Sequence, residues 1–152
     1  MRAIRLRWFM LAFLVVAGAT QTAAAAGRLE IERAWIRSAP PGAMMQAGYA
    51  ILRNSGDAPL VISGAHSEDF GNVSLHQTLE ENGVERMRAL GEVTLAPGAS
   101  LVFAPGGRHL MLMQPRRELK SGDRVKIHLD TKSGDGATAE FVVRDDAPAP
   151  IK

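Results

Sequence analysis

The sequence contains no cysteine among its 152 residues. No disulfide can form, although disulfides are common in exported proteins, so the stability of the fold must come from packing. Thiol redox catalysis is excluded as well. So are copper sites of electron-transfer proteins, which need a cysteine thiolate beside two histidines. A soft metal ligand in this chain must therefore be one of its seven methionines.

The sequence also lacks an apolar run long enough for a membrane-spanning helix. The first 26 residues combine three arginines, an apolar segment at Trp8–Ala19 and a small-residue zone at Ala23–Ala26. This pattern is typical of a secretory signal peptide, and the apolar segment is shorter than the ~20 residues that cross a bilayer. We expect cleavage after Ala26 and an exported protein with no stable membrane insertion afterwards.

The net charge is small once this leader is removed. The leader holds three of the 18 basic residues and none of the 16 acidic ones, so the remaining chain has 15 basic and 16 acidic residues. The basic balance of the whole sequence therefore gives no reason to expect nucleic-acid binding. The remaining length suits one domain with one core.

No long helical period follows the leader. Short runs of alternating apolar and polar residues are instead separated by turn residues such as Pro40-Pro41-Gly42 and Ser121-Gly122-Asp123. This pattern is typical of an antiparallel β-sandwich, which we predict for residues 27–144, with a disordered Pro-rich tail at 145–152. The predicted strands are Leu29–Ile36, Gly48–Arg53, Leu60–Ala65, Val73–Leu79, Val84–Leu90, Leu101–Phe103, Arg108–Met113, Val125–Leu129 and Ala139–Val143.

Two histidines and two methionines stand at a fixed spacing in the middle of the chain. His76 is followed by ten residues and Met87, then by 21 residues, His109, one residue and Met111. Residues two apart on a strand point to the same side, so His109 and Met111 share a face. Met113 extends this row, and the intervening leucines should face the core.

His76 and Met87 lie on the two arms of a predicted hairpin around Asn82-Gly83, a strong turn pair. If these are the two central turn residues, Thr78 faces Met87 and His76 faces Ala89, which makes His76 and Met87 diagonal neighbours. A loop centred one residue earlier would oppose them directly. In both cases they share a face; only a one-residue bulge would separate them.

Imidazole and thioether together are ligands that suit copper, and Cu(I) before Cu(II). Zinc prefers imidazole, thiolate or carboxylate. The alternative is structural, because methionine mostly fills cores and a histidine on a strand is more often solvated or hydrogen-bonded than a ligand. No single residue of the four therefore indicates a metal site; the combination does.

The spacing His76, Met87, His109, Met111 resembles the signature of the periplasmic copper chaperones of the PCuAC type. Similar segments surround it, and the likeness covers nearly all of the chain after the leader. These segments are AWIRSAPPGA at Ala34–Ala43, GYAILRNSGD at Gly48–Asp57, LHQTLEENGVERMR at Leu75–Arg88 and PGGRHLMLM at Pro105–Met113.

This resemblance implies a cupredoxin-like Greek-key sandwich with a Cu(I) site formed by the four residues. It also implies periplasmic delivery of copper to the dinuclear centre of cytochrome c oxidase, in subunit II, alongside thiol-bearing assembly factors. We further expect a monomer. Some chains of the family carry a His- and Met-rich tail with extra copper sites; this chain lacks one, so a second Cu(II) site in the tail is in doubt.

Five further residues are weaker candidates. His128 should point outward from its strand, and His66, with acids beside it in an expected loop, could at most hold Cu(II) or Zn(II) weakly. Met44-Met45 could lie near the site, although we expect them to fill the core. Met113 is the first additional ligand to consider.

Two other functions fit the same sequence. A copper storage or resistance protein could use the same ligands, and a metal-free β-sandwich interaction module would need none of them. Catalysis has the least support, because two imidazoles and two thioethers supply neither a nucleophile nor an acid pair. We therefore expect no enzyme.

Overall fold

A computed structural model of the chain describes residues 26–148. The predicted signal peptide, apart from Ala26, and the last four residues of the predicted tail lie outside this range. Within it, Ser38 and Asp145 share a side-chain hydrogen bond of 2.5 Å, and the Pro148 carbonyl oxygen accepts one from Arg33 at 3.0 Å. The start of the tail therefore contacts the domain.

Ten strands and no helix form the described part of the chain. Nine of them overlap the predicted strands, usually with one to three additional residues at an end. The three-residue strand β6 was not predicted, because its pairing partner at residues 60–62 is distant in the chain. The strands are β1 (Leu29–Arg37), β2 (Met45–Asn54), β3 (Leu60–His66), β4 (Phe70–Glu81), β5 (Val84–Ala89), β6 (Val93–Leu95), β7 (Ser100–Phe103), β8 (Arg108–Pro115), β9 (Arg124–Thr131) and β10 (Ala137–Arg144).

The strands form one sheet that closes around a single core. Its order is β5-β4-β8-β2-β1-β10-β9-β3-β6, β7 pairs with β2, and an additional β3–β4 pairing joins the two halves. The predicted antiparallel arrangement is confirmed for the described pairings with one exception: β1 and β10 run parallel. A parallel pair needs a long crossover, and here the rest of the domain supplies it.

The core takes one side of each strand. Leu110 and Leu112 of β8 are 1% and 0% exposed, and Val73 and Leu75 of β4 are nearly as buried. Alternation of side chains across a strand then directs the residues between them to the outer face. The candidate ligands of β4 and β8 occupy that outer face.

A buried asparagine closes the end of β2. Asn54 is fully buried, and its amide nitrogen donates to the carbonyl oxygens of Ala58 and Leu95 at 2.8 and 3.0 Å. Its side-chain oxygen accepts from the backbone N–H groups of Arg28 and Gly56 at 3.1 and 3.0 Å. One side chain thus satisfies four backbone groups, which would otherwise be unpaired near the core.

We expect Asn54→Ala to lower the free energy of unfolding by about 2–4 kcal/mol, since each buried group left unpaired costs about 1–3 kcal/mol. Urea unfolding followed by tryptophan fluorescence measures the change. Asn72→Ala is the matched control, because Asn72 is exposed, and it should change stability by less than about 0.5 kcal/mol. Equal effects of the two substitutions would contradict this role of Asn54.

Candidate metal centre

The two histidines of the fixed spacing meet across neighbouring strands. His76 of β4 is directly opposite His109 of β8 in the β4–β8 pairing. Their ring centroids are 6.0 Å apart and their planes differ by 29°. The strand pairing therefore holds two imidazoles, distant in sequence, side by side on the outer face.

The hairpin has the first of the two predicted registers. Asn82 and Gly83 have φ of 55° and 77°, as the two-residue turn requires. Thr78 is opposite Met87 and His76 is opposite Ala89. Met87 is therefore a diagonal neighbour of His76, and no bulge separates them.

Met111 lies on the opposite side of His76 from Met87. It is opposite Ser74 in the β4–β8 pairing, which makes it a second diagonal neighbour of His76. Diagonal neighbours lie roughly 7–8 Å apart, within reach of a long flexible side chain. The predicted alternation on β8 is confirmed, because Leu110 and Leu112 are in the core. His76 is thus the residue around which the other three are placed.

Exposure differs sharply among the four side chains. His109 is 7% exposed, whereas Met87 is 52% exposed. His76 and Met111 are intermediate. The group is therefore enclosed on the β8 side and open to solvent on the β5 side.

Hydrogen bonds fix one imidazole more firmly than the other. Nδ1 of His109 donates to the carbonyl oxygen of Gly107 at 3.2 Å, so the neutral ring carries its lone pair on Nε2. In metal-binding histidines, a hydrogen bond from the other ring nitrogen to a backbone carbonyl commonly orients the ring. Gly107 was not identified from the sequence as a residue of the site.

The other imidazole has one unsatisfied nitrogen. Nε2 of His76 shares a 3.0 Å hydrogen bond with the Ser74 hydroxyl. Nδ1 is buried and has no hydrogen-bond partner among residues 26–148, which is costly. An ion at Nδ1 would satisfy this ring while Nε2 keeps its hydrogen bond to Ser74. Ser74 could have been found from the sequence, since it is two residues from His76 on the same face.

The histidine pair favours the neutral form of His76. Burial lowers the pKa of His76 below its usual value, and the charge that His109 would carry lowers this pKa further. A neutral imidazole is the form that binds metals. The ring is therefore ready to act as a ligand at neutral pH without first losing a proton.

Three charged groups of the hairpin are paired with one another. Glu81 contacts Arg88 at 2.7 Å and Arg86 at 3.6 Å, measured between carboxylate oxygen and guanidinium nitrogen. Arg86 and Arg88 flank Met87 in the chain and so alternate to the other face of β5. On the face that carries Met87, its direct partner Thr78 is uncharged, and two carboxylates, Glu80 and Glu85, are opposite each other one pair nearer the turn.

Two expectations about the weaker candidates are wrong. Met44 and Met45 do not fill the core, since they are 66% and 53% exposed at the start of β2. His66 is not in a loop; it ends β3 opposite His128 of β9, because pairing with β9 extends the strand. Local sequence gives no sign of such a long-range pairing.

The rings of His66 and His128 lie close together, with centroids 4.9 Å apart. Nδ1 of His66 contacts Asp130 at 3.2 Å, and His128 points outward as predicted, with Nδ1 sharing a 2.8 Å hydrogen bond with the Thr138 hydroxyl. No group of three His, Asp or Glu side chains in the described range is arranged to hold a metal ion.

No described helix is long and apolar enough to cross a membrane.

Known proteins share this fold. The Cu(I) form of DR1885 from Deinococcus radiodurans is 27% identical with a TM-score of 0.56, over 86% of this chain and 84% of that one. The copper-bound PCuAC domain from PmoF2 has a TM-score of 0.65 over 82% of this chain and 100% of that one. Its 23% identity supports the fold alone. The predicted cupredoxin-like sandwich is thus confirmed.

A family and a relative match along most of the sequence. The lipoprotein Lxx21020 of Leifsonia xyli subsp. xyli is 31% identical over 116 residues, which make up 76% of this chain and 68% of the relative. The model of the LpqE-like lipoprotein family matches residues 29–143, from the first strand to the last. The chain therefore belongs to the LpqE-like family, and its structural neighbours are PCuAC domains.

Proposed function

We propose that the protein binds one Cu(I) ion with His76, Met87, His109 and Met111 and passes it to an acceptor protein. The observation that carries this proposal is the directly opposed pair His76 and His109, with a methionine diagonal to His76 on each side. Two structural neighbours, the PCuAC domain from PmoF2 and DR1885, are known in copper-bound forms, which supports copper as the metal.

The donor set explains the choice of oxidation state. All four donors are uncharged when the imidazoles are neutral, and thioether sulfur selects Cu(I) among the divalent and monovalent ions of the cell. Bound Cu(I) would keep its charge, so its release would not require a thiolate to be protonated. An acceptor with thiolate or more imidazole ligands could therefore take the ion by ligand exchange.

The difference in exposure supports a role in transfer. The buried His109, oriented by Gly107, would hold the ion on the β8 side, while the half-exposed Met87 would close the site from solvent. Met87 could leave first when an acceptor ligand approaches. A chaperone needs such an open side, whereas simple storage would favour full enclosure.

We further propose the compartment and the acceptor. Export through the signal peptide at residues 1–26 would place the protein in the periplasm, where it acts as a monomer and not as an enzyme. The lipoprotein names of its family and relative support export. The acceptor would be the dinuclear copper centre in subunit II of cytochrome c oxidase, reached with the help of thiol-bearing assembly factors.

Anaerobic Cu(I) titration against a chromogenic chelator tests the site. We expect the protein to bind one equivalent, and His109→Ala and Met111→Leu to weaken binding by more than about tenfold, since loss of a supporting partner alone costs about 10–100-fold. Met44→Leu is the control and should match the original protein, because Met44 is exposed outside the site. A protein unable to compete for Cu(I), or variants equal to the control, would refute the site.

Protection from oxidation tests the role of Met87. In the metal-free protein, dilute peroxide should oxidise Met87 readily, because its side chain is 52% exposed and exposed methionine is readily converted to the sulfoxide. One equivalent of Ag(I), a redox-stable substitute for Cu(I), should protect Met87 and leave Met44 as reactive as before. Peptide mass spectrometry measures both sulfoxides. Equal oxidation of Met87 with and without Ag(I) would exclude it as a ligand.

Copper transfer separates a chaperone from a storage protein. The copper-loaded protein is mixed with the metal-free copper domain of oxidase subunit II, or held apart from it by a dialysis membrane. We expect transfer on mixing to be much faster than transfer across the membrane, because ligand exchange needs contact. Equal rates would mean that copper simply dissociates, which would favour storage.

A further inference from the structure

A second pair of methionines lies on the same outer face as the proposed site. Met45 at the start of β2 is directly opposite Met113 of β8. Met45 is 53% exposed, and Met113 is intermediate. Directly opposed residues have Cβ atoms about 4.5–5.5 Å apart, so the two flexible thioethers can reach a common point.

This pair continues the row that leads from His109. Met113 follows Met111 on the same side of β8, about 6.6 Å further along the strand. Ala47 is opposite Met111 on β2, and this small side chain leaves Met111 room to turn toward either neighbour. Met111 is thus placed between the histidine pair and the Met45–Met113 pair.

The strand ends that carry the pair are held in place. The backbone N–H of Gln114 donates to the carbonyl oxygen of Met44 at 2.9 Å, one residue beyond the Met45–Met113 pairing on each strand. The pairing is therefore maintained up to the ends of the two strands. The exposed thioether of Met45 and the half-buried one of Met113 are held opposite each other there.

Only uncharged side chains share these two rows of the face. The pairings place the side chains of Ala47, Met111 and Ser74 in one row and those of Met45, Met113 and Asn72 in the next. Without a carboxylate or an imidazole, the Met45–Met113 pair cannot suit Zn(II) or Cu(II), which prefer harder or nitrogen ligands. Thioethers alone suit Cu(I) and bind it more weakly than a set with two imidazoles.

We propose that Met45 and Met113 form a second, weaker Cu(I) position next to Met111, through which the ion enters or leaves the His76–His109 site. This inference rests on the proposed function, because it assigns a route to the same cargo. Met111 exchanges between the two positions, so the ion never loses all of its soft ligands. The experiment below reads the two positions separately.

Methionine methyl signals distinguish the positions. Protein labelled with [¹³C-methyl]methionine is titrated with Ag(I) and followed by NMR. We expect the first equivalent to shift Met87 and Met111, and the second to shift Met45 and Met113. The Met44 signal should not move, because Met44 and Gln46 line a depression at the end of the sheet that does not include Met45. A second equivalent that leaves Met45 and Met113 unchanged would overturn the proposal.

A substitution then tests whether the position serves transfer. Met45→Leu keeps the size and apolar character of an exposed side chain, so the fold should be retained. We expect it to weaken the second step of the titration and to slow copper transfer to a chelator by about tenfold, the scale of one lost interaction at a metal. Met44→Leu should do neither. Transfer at the original rate in Met45→Leu would overturn the route.

The two proposals fail in different ways. If the first equivalent shifts no signal of Met87 or Met111, the four-residue site is wrong, whatever Met45 does. If the first equivalent binds as expected and Met45 and Met113 do not respond to the second, only the second position is wrong. A response of Met45 to the first equivalent would place the primary site on the thioethers and refute the assigned order.

Discussion

The pairing register of β4 with β8 is the constraint on which the rest of this structure depends. It places His76 opposite His109 and, through the alternation of the same two strands, puts Leu75 and Leu110 into the core. A slip of β8 by one residue would turn His109 into the core and Leu110 toward solvent. The free energy of core burial therefore also holds the two histidines together. Packing alone fixes their positions, without a disulfide or a structural metal.

The neutrality of the four proposed ligands is the second organising feature of the structure. A buried charge costs several kcal/mol unless it is paired, and the lowered pKa of His76 shows that burial opposes a proton there. Thioethers add donors without adding charge. The face can therefore be half-buried when empty and still offer ligands to a soft monovalent ion. An anionic ligand at Ser74 or Thr78 would alter both properties, because it would raise the pKa of the histidines and attract harder metals.

Local signals predicted what depends on local geometry. The Asn82-Gly83 turn determined the hairpin register, and alternation separated His109 and Met111 from Leu110 and Leu112. Signals failed where pairing partners are distant in the chain. Met44 and Met45 looked like core residues because nothing nearby shows that the start of β2 is exposed to solvent. His66 looked like a loop residue because its partner His128 lies on β9. The β4–β8 pairing and the hydrogen bond from His109 to Gly107 could not be derived without the fold, whereas Ser74 could have been found two residues from His76 on the same face.

Unequal exposure of the four proposed ligands connects structure to transfer. A site enclosed on every side would have to open before an acceptor could reach the ion, whereas a fully exposed one would lose it to water and to competing ligands. Here His109 is 7% exposed and Met87 is 52% exposed, so the ligands would be exchanged in order, from the hairpin arm inward. The proposed Met45–Met113 position adds a second accessible side at the start of β2. Because His76 is diagonal to both Met87 and Met111, a bound ion could change one sulfur ligand while it kept an imidazole, so each step of the proposed transfer would break a single bond.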